Sequence, residues 1–246
     1  MKFLKIIFLV FILISSANAN TIFYLIKIPN LEIYSNNSTN GLKYLKAVKF
    51  FQVGIRDNNV SCSKQNNETI NEKFTIIKKN LDRYSSYFLN KINLKYIVLC
   101  EDLSVSDIGS AGIPNYKMKT IIINTKFNRH NLGRIVHHEL FHIINENYKN
   151  YFNKISWSKF NNSKFKYAEC STCSDRLNLS LLKENEGFVT EYSMSTASED
   201  MAEVFSFLMT NRKKIEDKAL KDTILNKKIN FIKKNILKID ENFKFK

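Results

Sequence analysis

Three of the four histidines in the chain lie in one short segment that could bind a metal ion. His138, Glu139 and His142 form the pattern HExxH, with two histidines four residues apart and a glutamate directly after the first. On a helix, residues four apart project from the same face, so both imidazoles can reach one Zn²⁺ at about 2.0–2.1 Å. Glu139 would then reach a water molecule at the ion and act as a general base. His137 points about 100° away from His138 on such a helix, so we expect it to support the site or the fold rather than bind metal.

Two histidines leave a catalytic zinc site one protein ligand short. The extended pattern HExxHxxGxxH would need glycine and histidine where the chain has Asn145 and Tyr148. We therefore expect a carboxylate from further along the chain. Glu199 and Glu203 are four residues apart at the start of a predicted helix, so one can bind the ion while the other accepts a hydrogen bond from a ligand imidazole. The competing downstream acids are Glu184, Glu186, Glu191 and Asp200.

The hydrophobic pattern predicts the elements that must position these residues. Apolar residues that recur every three or four positions predict helices at 68–93, 132–147, 199–211 and 221–239. Asn67 and Asn131 are the expected caps of the first two helices. Runs rich in β-branched and aromatic residues predict strands at 21–28, 46–53, 94–99 and 119–124, with a glycine-containing loop at 109–114. This order predicts an α+β fold with strands in the N-terminal half and mostly helices in the C-terminal half.

The N-terminus has the pattern of a secretory signal peptide. Lys2 and Lys5 give a positively charged start, and residues 3–14 form an apolar run. Ala17 and Ala19 form a small-x-small cleavage site. We therefore expect residues 1–19 to be removed on export to the periplasm or the extracellular space. No later stretch approaches the ~20 apolar residues of a membrane-spanning helix.

The exported chain, residues 20–246, is expected to form a single domain with two lobes. A lobe of strands and helices would cover about 20–125, and a helical metal-binding lobe about 126–246. In an oxidising compartment an even number of cysteines usually forms disulfides. The four cysteines could form two, with their pairing left open: Cys62, Cys100, Cys170 and Cys173.

Composition excludes several other functions. The formal net charge of +15 comes from 32 lysines and six arginines against 23 acidic residues. These cations are spread along the chain, which indicates a solvated surface rather than a specific nucleic-acid site. Six glycines and two prolines leave no glycine-rich loop for a nucleotide.

The residues after HExxH resemble those of a known family. The segments 187–192 (GFVTEY) and 198–205 (SEDMAEVF) are similar to those of the zinc-binding metallopeptidases related to the catalytic domain of anthrax lethal factor, which are gluzincins. In that group a tyrosine lies seven residues before the metal-binding glutamate of an E-x-x-A-E helix, as Tyr192 does before Glu199. We call the HExxH helix and the E-x-x-A-E helix the two metal helices. The segment that connects them is also similar, through Trp157, Asn161, Phe165 and Tyr167. The resemblance covers about 121–209.

The resemblance implies a zincin-like fold, one Zn²⁺ per chain and hydrolysis of peptide bonds in a peptide or protein substrate. It assigns His138, His142 and Glu199 as ligands. It further assigns Glu139 as the base and Tyr192 as a hydroxyl that stabilises the oxyanion. Glu203 would not bind the ion and would instead accept a hydrogen bond from a ligand histidine. The strand at 119–124 directly precedes the metal helix, and we expect it to be the edge along which an extended peptide pairs.

Two other functions stay open from the sequence. One is a non-catalytic binding protein stabilised by zinc, and the other is a basic surface-binding protein. Glu139 distinguishes the first from an enzyme, because a structural zinc site needs no base and usually has four protein ligands. Strong, salt-dependent binding to an anionic polymer or lipid without bound metal would identify the second.

Overall fold

The computed structural model describes residues 31–55, 58–184 and 186–245. The predicted signal peptide at 1–19 and the predicted strand at 21–28 lie outside these residues. The strands are β1 (Leu31–Ser35), β2 (Lys43–Ala47), β3 (Phe51–Ile55), β4 (Asn58–Ser63), β5 (Tyr96–Val105), β6 (Ile108–Gly109), β7 (Gly112–Asn115) and β8 (Thr120–Asn124). The α-helices are α1 (Ile70–Leu81), α2 (Ser86–Lys91), α3 (Arg129–Asn147), α4 (Lys154–Ser158), α5 (Ala197–Thr210), α6 (Arg212–Ala219) and α7 (Thr223–Ile239). Short 3₁₀ helices lie at Ser171–Cys173 and Tyr192–Met194.

The strand β5 is the centre of the sheet, because its two halves pair with different strands. Its first half pairs in parallel with β2 on one side and with β8 on the other. Its second half pairs antiparallel with β4 and β6. β7 pairs antiparallel with β8, so β7 forms the outer edge of the sheet beside β8 in the described part of the chain.

Alternation along β5 separates two hydrophobic clusters. Ile97 and Leu99 belong to the cluster shared with the helices, whereas Val98 and Cys100 belong to a smaller cluster on the other face. The larger cluster includes apolar residues from α1, α3, α5 and α7. The sheet thus supports α3, which carries the HExxH residues, and α3 in turn packs against α5.

The predicted α+β order, with the sheet in the first half and mostly helices in the second, is confirmed. The single helix predicted at 68–93 is wrong. It divides into α1 and α2 because the Ser85 side chain accepts a hydrogen bond from the Phe88 N–H and caps a new helix. Neither expected cap is correct: Thr69 precedes α1, and Asn128 caps α3 through the His130 N–H.

Two strand predictions also need correction. The run at 46–53 divides between β2 and β3, which pair with different strands. The region predicted as a loop at 109–114 contains the end of β6 and most of β7. Pro114 has no N–H to donate, and it is tolerated because β7 pairs on one side only in the described structure.

The four cysteines form two disulfides. Cys62 and Cys100 join the neighbouring strands β4 and β5, and Cys170 and Cys173 close a short loop. None of the helices in the described part of the chain combines the length and apolar character needed to span a bilayer.

Candidate metal centre

Two helices bring the three predicted metal ligands together. α3 places His138 and His142 one turn apart, with their Nε2 atoms 3.1 Å from each other. α5 brings Glu199, whose Oε2 lies 2.9 Å from Nε2 of His138 and 3.2 Å from Nε2 of His142. Among the described residues, these three side chains form a group whose donor atoms converge closely enough for one metal ion.

The donor set fits zinc. Four ligands at about 2.0–2.1 Å in a tetrahedron lie roughly 3.3 Å from each other, close to the observed spacing of 2.9–3.2 Å. Two imidazole nitrogens and one carboxylate oxygen, with the fourth position left for water or substrate, are typical of catalytic rather than structural zinc sites.

The start of α5 explains why Glu199 faces the histidines. The Thr196 hydroxyl caps the helix by accepting a hydrogen bond from the Glu199 N–H at 3.2 Å. A glutamate at this position of a helix often reaches back to the cap residue, but here its side chain lies at the two imidazoles. Glu184 and Glu186 are exposed, and Asp200 points into the core.

Glu203 lies behind His138, on the side away from the three donor atoms. Its Oε1 lies 2.9 Å from Nδ1 of His138. Its Oε2 accepts hydrogen bonds from Arg134 at 2.6 Å and from the Thr190 hydroxyl at 2.8 Å. Burial favours a raised pKa for Glu203, but the hydrogen bonds from His138 and the charge of Arg134 lower it below the usual value.

The charges of the cluster shift the pKa values of its members. Burial disfavours the charged form of His138, but Glu199 and Glu203 raise its pKa to about 10. Burial likewise disfavours the charged form of Glu199, but the two histidines hold its pKa well below the usual value. Burial raises the pKa of Glu139, although His138 and His142 oppose that effect.

Glu139 lies against the edge strand β7. A Cβ atom added to Gly112 would lie 2.4 Å from Cγ of Glu139, so a larger residue there would require the glutamate or the strand to shift. The expectation that the strand at 119–124 forms the free edge is wrong. β8 lies between β5 and β7 because β7 folds back beside it, and β7 is the strand that borders the site.

A tight turn presents Tyr192 to the site. The Thr190 hydroxyl accepts a hydrogen bond from the Ser193 N–H at 3.0 Å, and the Ser193 hydroxyl donates to the Thr190 carbonyl at 2.6 Å. The Tyr192 ring centre lies 5.9 Å from that of His138. Burial and the nearby Glu199 raise the pKa of Tyr192, so its hydroxyl keeps its proton at neutral pH.

His137 is fully buried and faces away from the three donor atoms. Its Nδ1 is hydrogen-bonded to the Tyr84 hydroxyl at 2.5 Å, and its Nε2 to the Asn80 side chain at 3.0 Å. Burial lowers the pKa of His137 to about 3, so it stays neutral. It therefore links α3 to α1 and the turn that follows.

Sequence reasoning missed a buried polar cluster around Asp200. Its Oδ2 accepts hydrogen bonds from Lys228 at 2.6 Å, the Trp157 indole at 2.8 Å and the Tyr167 hydroxyl at 2.6 Å. The cluster fixes the segment between the two metal helices to α5, beside Glu199. Lys228, a charged residue on the mostly apolar buried face of α7, is the sequence feature that could have indicated it.

The metal centre lies in a cleft of about 1000 Å³. β7 and the residues before it line one side, and the segment with the Cys170–Cys173 disulfide lines another. Several apolar side chains contribute to the lining: Val105, Ile108, Ile113, Ile135, Leu177 and Leu179. These side chains make part of the cleft wall apolar beside the three converging donor atoms.

Comparisons with known proteins bear on the fold and the family of the chain. No curated protein matches the chain. The fold is similar to that of a Bacteroides caccae protein described as a "putative zinc-binding metallo-peptidase". Its crystal structure matches with a TM-score of 0.51 and 17% sequence identity. The match covers 83% of this chain and 81% of that one, and at this identity it concerns the fold alone. Residues 103–243, more than half of the chain, match the family described as "Putative zinc-binding metallo-peptidase", and the chain therefore belongs to that family.

Proposed function

We propose that the protein is an exported zinc peptidase of the gluzincin type that hydrolyses peptide bonds in the cleft beside β7. The observation that carries this proposal is the convergence of His138, His142 and Glu199. Glu139 lies on the same helix, directly after the first of these histidines. A structural zinc site would need four protein ligands and no base, whereas three donor atoms converge in the described residues.

The ligands would hold one Zn²⁺ per chain. When bound, such an ion supplies a Lewis acid that polarises a peptide carbonyl and lowers the pKa of water to near 7. Glu139 accepts a proton from the attacking water and passes it to the leaving amine. The Tyr192 hydroxyl donates a hydrogen bond to the carbonyl oxygen as negative charge develops there. Glu203 keeps a proton on Nδ1 of His138, which leaves Nε2 free to bind the ion.

The edge strand β7 gives an extended substrate a place to pair. Within the described residues β7 pairs on one side only, so its other side offers backbone groups, except the missing N–H of Pro114, to a peptide in the cleft. The closeness of β7 to Glu139 would bring the scissile bond next to the base. The apolar lining of the cleft favours peptides with apolar side chains near that bond. Export through the predicted signal peptide would suit the two disulfides, which persist in oxidising compartments.

The test uses purified residues 20–246, zinc analysis and digestion of a peptide library. We expect about one zinc per chain and cleavage of a subset of peptides. His138→Ala and His142→Ala should each abolish most zinc binding. Glu139→Gln should keep its zinc but lower kcat by about 10²–10⁴-fold, since an amide cannot accept the proton.

Glu146→Gln is the matched control, because Glu146 lies on the same helix and also lines the cleft. Its kcat should match that of the parent, because Glu146 is not one of the reacting groups, and any change should be confined to KM because Glu146 lines the cleft. Zinc binding without cleavage of any peptide would favour a non-catalytic zinc protein. Equal kcat values for Glu139→Gln and the parent would remove Glu139 from its role.

A further inference from the structure

We propose that Arg134 is a positioning residue that holds both sides of the site, Glu203 behind His138 and the segment that carries Tyr192. This inference rests on the proposed function for the importance of Tyr192. Arg134 lies on α3 one turn before His138, and its side chain is 7% exposed. A buried cation needs compensating partners, and Arg134 finds them on two separate parts of the chain.

The first partner of Arg134 is Glu203 on α5. One guanidinium nitrogen lies 2.6 Å from Oε2 of Glu203, in an ion pair whose carboxylate side chain is only 1% exposed. The guanidinium also lies 4.9 Å from the centre of the Phe207 ring, one turn further along α5. These contacts tie the two metal helices together beside the ligands.

The Arg134 contact restricts the orientation of the Glu203 carboxylate. Arg134 and Thr190 both donate to Oε2, which leaves Oε1 directed at Nδ1 of His138. A carboxylate in this orientation fixes the tautomer and the ring plane of the histidine. Without Arg134, the Glu203 carboxylate would lose the guanidinium charge and one of the two hydrogen bonds to Oε2. The Thr190 hydroxyl alone would then hold Oε2, so the carboxylate would be less firmly oriented.

The second partner of Arg134 lies in the segment 178–192, which the structure describes except for residue 185. The other guanidinium nitrogen donates to the Leu179 carbonyl at 3.1 Å. The neighbouring Asn178 carbonyl accepts a hydrogen bond from the Tyr192 N–H at 3.1 Å. Thr190, two residues before Tyr192, also donates to the Glu203 oxygen that Arg134 contacts. Arg134 thus joins a closed set of contacts that runs from His138 to the backbone of Tyr192.

The planar fork of arginine suits this task better than lysine. Its nitrogens point at two acceptors at once, one carboxylate and one carbonyl, whereas a lysine ammonium lacks this fixed fork. Arg134→Lys should therefore keep the charge beside Glu203 and lose the Leu179 contact. Arg134→Met should lose both.

The experiment measures zinc affinity by chelator competition and amide hydrogen exchange over 178–192, neither of which requires peptidase activity. We expect Arg134→Met to weaken zinc binding by about 10–100-fold, the usual effect of removing support behind a ligand. Arg134→Lys should lose less zinc affinity than Arg134→Met, but its amides over 178–192 should exchange faster than those of the parent. Thr190→Val should weaken zinc binding less than Arg134→Met does. Arg212→Gln, at an exposed ion pair on α6, is the matched control and should behave like the parent.

Arg134→Lys and Thr190→Val keep the test decisive if Arg134→Met fails to fold. Parent-like zinc affinity and parent-like exchange in both variants would overturn the proposal. Weaker zinc binding in Arg134→Lys together with faster exchange over 178–192 would support it. Failure of every variant and the parent to cleave peptides would contradict the proposed function while leaving these two measurements valid.

Discussion

Glu199 and Glu203 are identical side chains one helical turn apart, and their surroundings separate them. Both oxygens of Glu203 are engaged, one by His138 and the other by Arg134 and Thr190. Glu199 places one oxygen within 3.2 Å of both Nε2 atoms. A metal ion can therefore use Glu199 directly, whereas Glu203 would have to give up its buried hydrogen bonds to reach one.

This difference predicts the order of zinc affinities. Glu199→Ala should lose zinc more completely than Glu203→Ala, for which the usual loss is about 10–100-fold in affinity or activity. Tyr192→Phe should keep parent-like zinc affinity and lose mainly kcat, because it removes only the proposed donor to the developing oxyanion. Zinc titration and steady-state kinetics of the three variants measure these effects. Tighter binding by Glu199→Ala than by Glu203→Ala would exchange the two roles.

At the residue scale, the sequence predicts which side chains share a face of a helix, because that depends only on their spacing. HExxH places His138 and His142 on one face of a helix wherever that helix lies, and the structure brings their nitrogens together. Arg134 and Thr190 belong to no such pattern. Their contacts with Glu203 join residues 69 and 13 positions apart, which only the packing of α3 and the 178–192 segment against α5 creates.

Among the elements, the edge strand β7 is not predicted from the sequence, because its composition is that of a loop. Gly112 and Pro114 are typical of loops, yet both suit this strand. Proline needs no donor on the free side, and glycine leaves room for Glu139. The turn chemistry alone predicted a loop, because sequence gives no measure of how closely a strand passes a helix.

Gly112→Ala should therefore disturb Glu139. The new Cβ would lie 2.4 Å from Cγ of Glu139, so the glutamate or the strand must move. We expect kcat to fall by at least about 10-fold, since Glu139, the proposed base, would be misplaced, while zinc is retained. Gly109→Ala is the matched control, because a Cβ there meets nothing within 4 Å. Parent-like kinetics in Gly112→Ala would show that the strand adapts without moving the base.

The two disulfides should differ in their effects on stability and activity. Cys62 and Cys100 are 38 residues apart, whereas Cys170 and Cys173 are three apart. Loop entropy assigns about 4 kcal/mol to the first and about 2 kcal/mol to the second. The double Cys→Ser variant at 62 and 100 should thus lose more free energy of unfolding. The variant at 170 and 173 should change KM more, because that loop lines the cleft.

Urea unfolding and peptide kinetics on both double variants check this expectation. The variant at 62 and 100 should keep a parent-like KM under conditions where it stays folded. A larger stability loss from the 170 and 173 variant, or an unchanged KM in it, would contradict the assignment of one bridge to the sheet and the other to the cleft.

At the scale of the whole molecule, composition and periodicity predict the α+β class and most helices but not the connections within the sheet. The short apolar run at 94–99 correctly predicts a buried strand, which begins at Tyr96. It does not reveal that β5 continues to Val105 and pairs with four strands. Those pairings depend on residues far apart in the chain, such as Cys62 on β4 and Cys100 on β5.

The helical core also buries tyrosine hydroxyls, which titrate differently in the folded and unfolded chains. Burial raises the pKa of Tyr44 and of Tyr84 above the usual 10. The Tyr84 hydroxyl is hydrogen-bonded to His137. The Tyr44 hydroxyl makes no hydrogen bond within the described residues. Because the folded pKa is raised, stability is fully present below pH 10 and falls as the pH rises above the unfolded value.

Tyr44→Phe and Tyr84→Phe should therefore change stability in opposite directions at neutral pH. Tyr44→Phe removes an unsatisfied buried hydroxyl and should raise the free energy of unfolding by about 1 kcal/mol, whereas Tyr84→Phe loses a hydrogen bond and should lower it by about 1 kcal/mol. Above about pH 10, both variants should lose less stability than the parent, because one tyrosine no longer ionises in the unfolded chain. Urea unfolding at about pH 7.5 and about pH 10.5 measures both effects. A destabilised Tyr44→Phe at neutral pH would mean that its hydroxyl is hydrogen-bonded, and a parent-like loss between the two pH values would mean that Tyr44 ionises equally in both states.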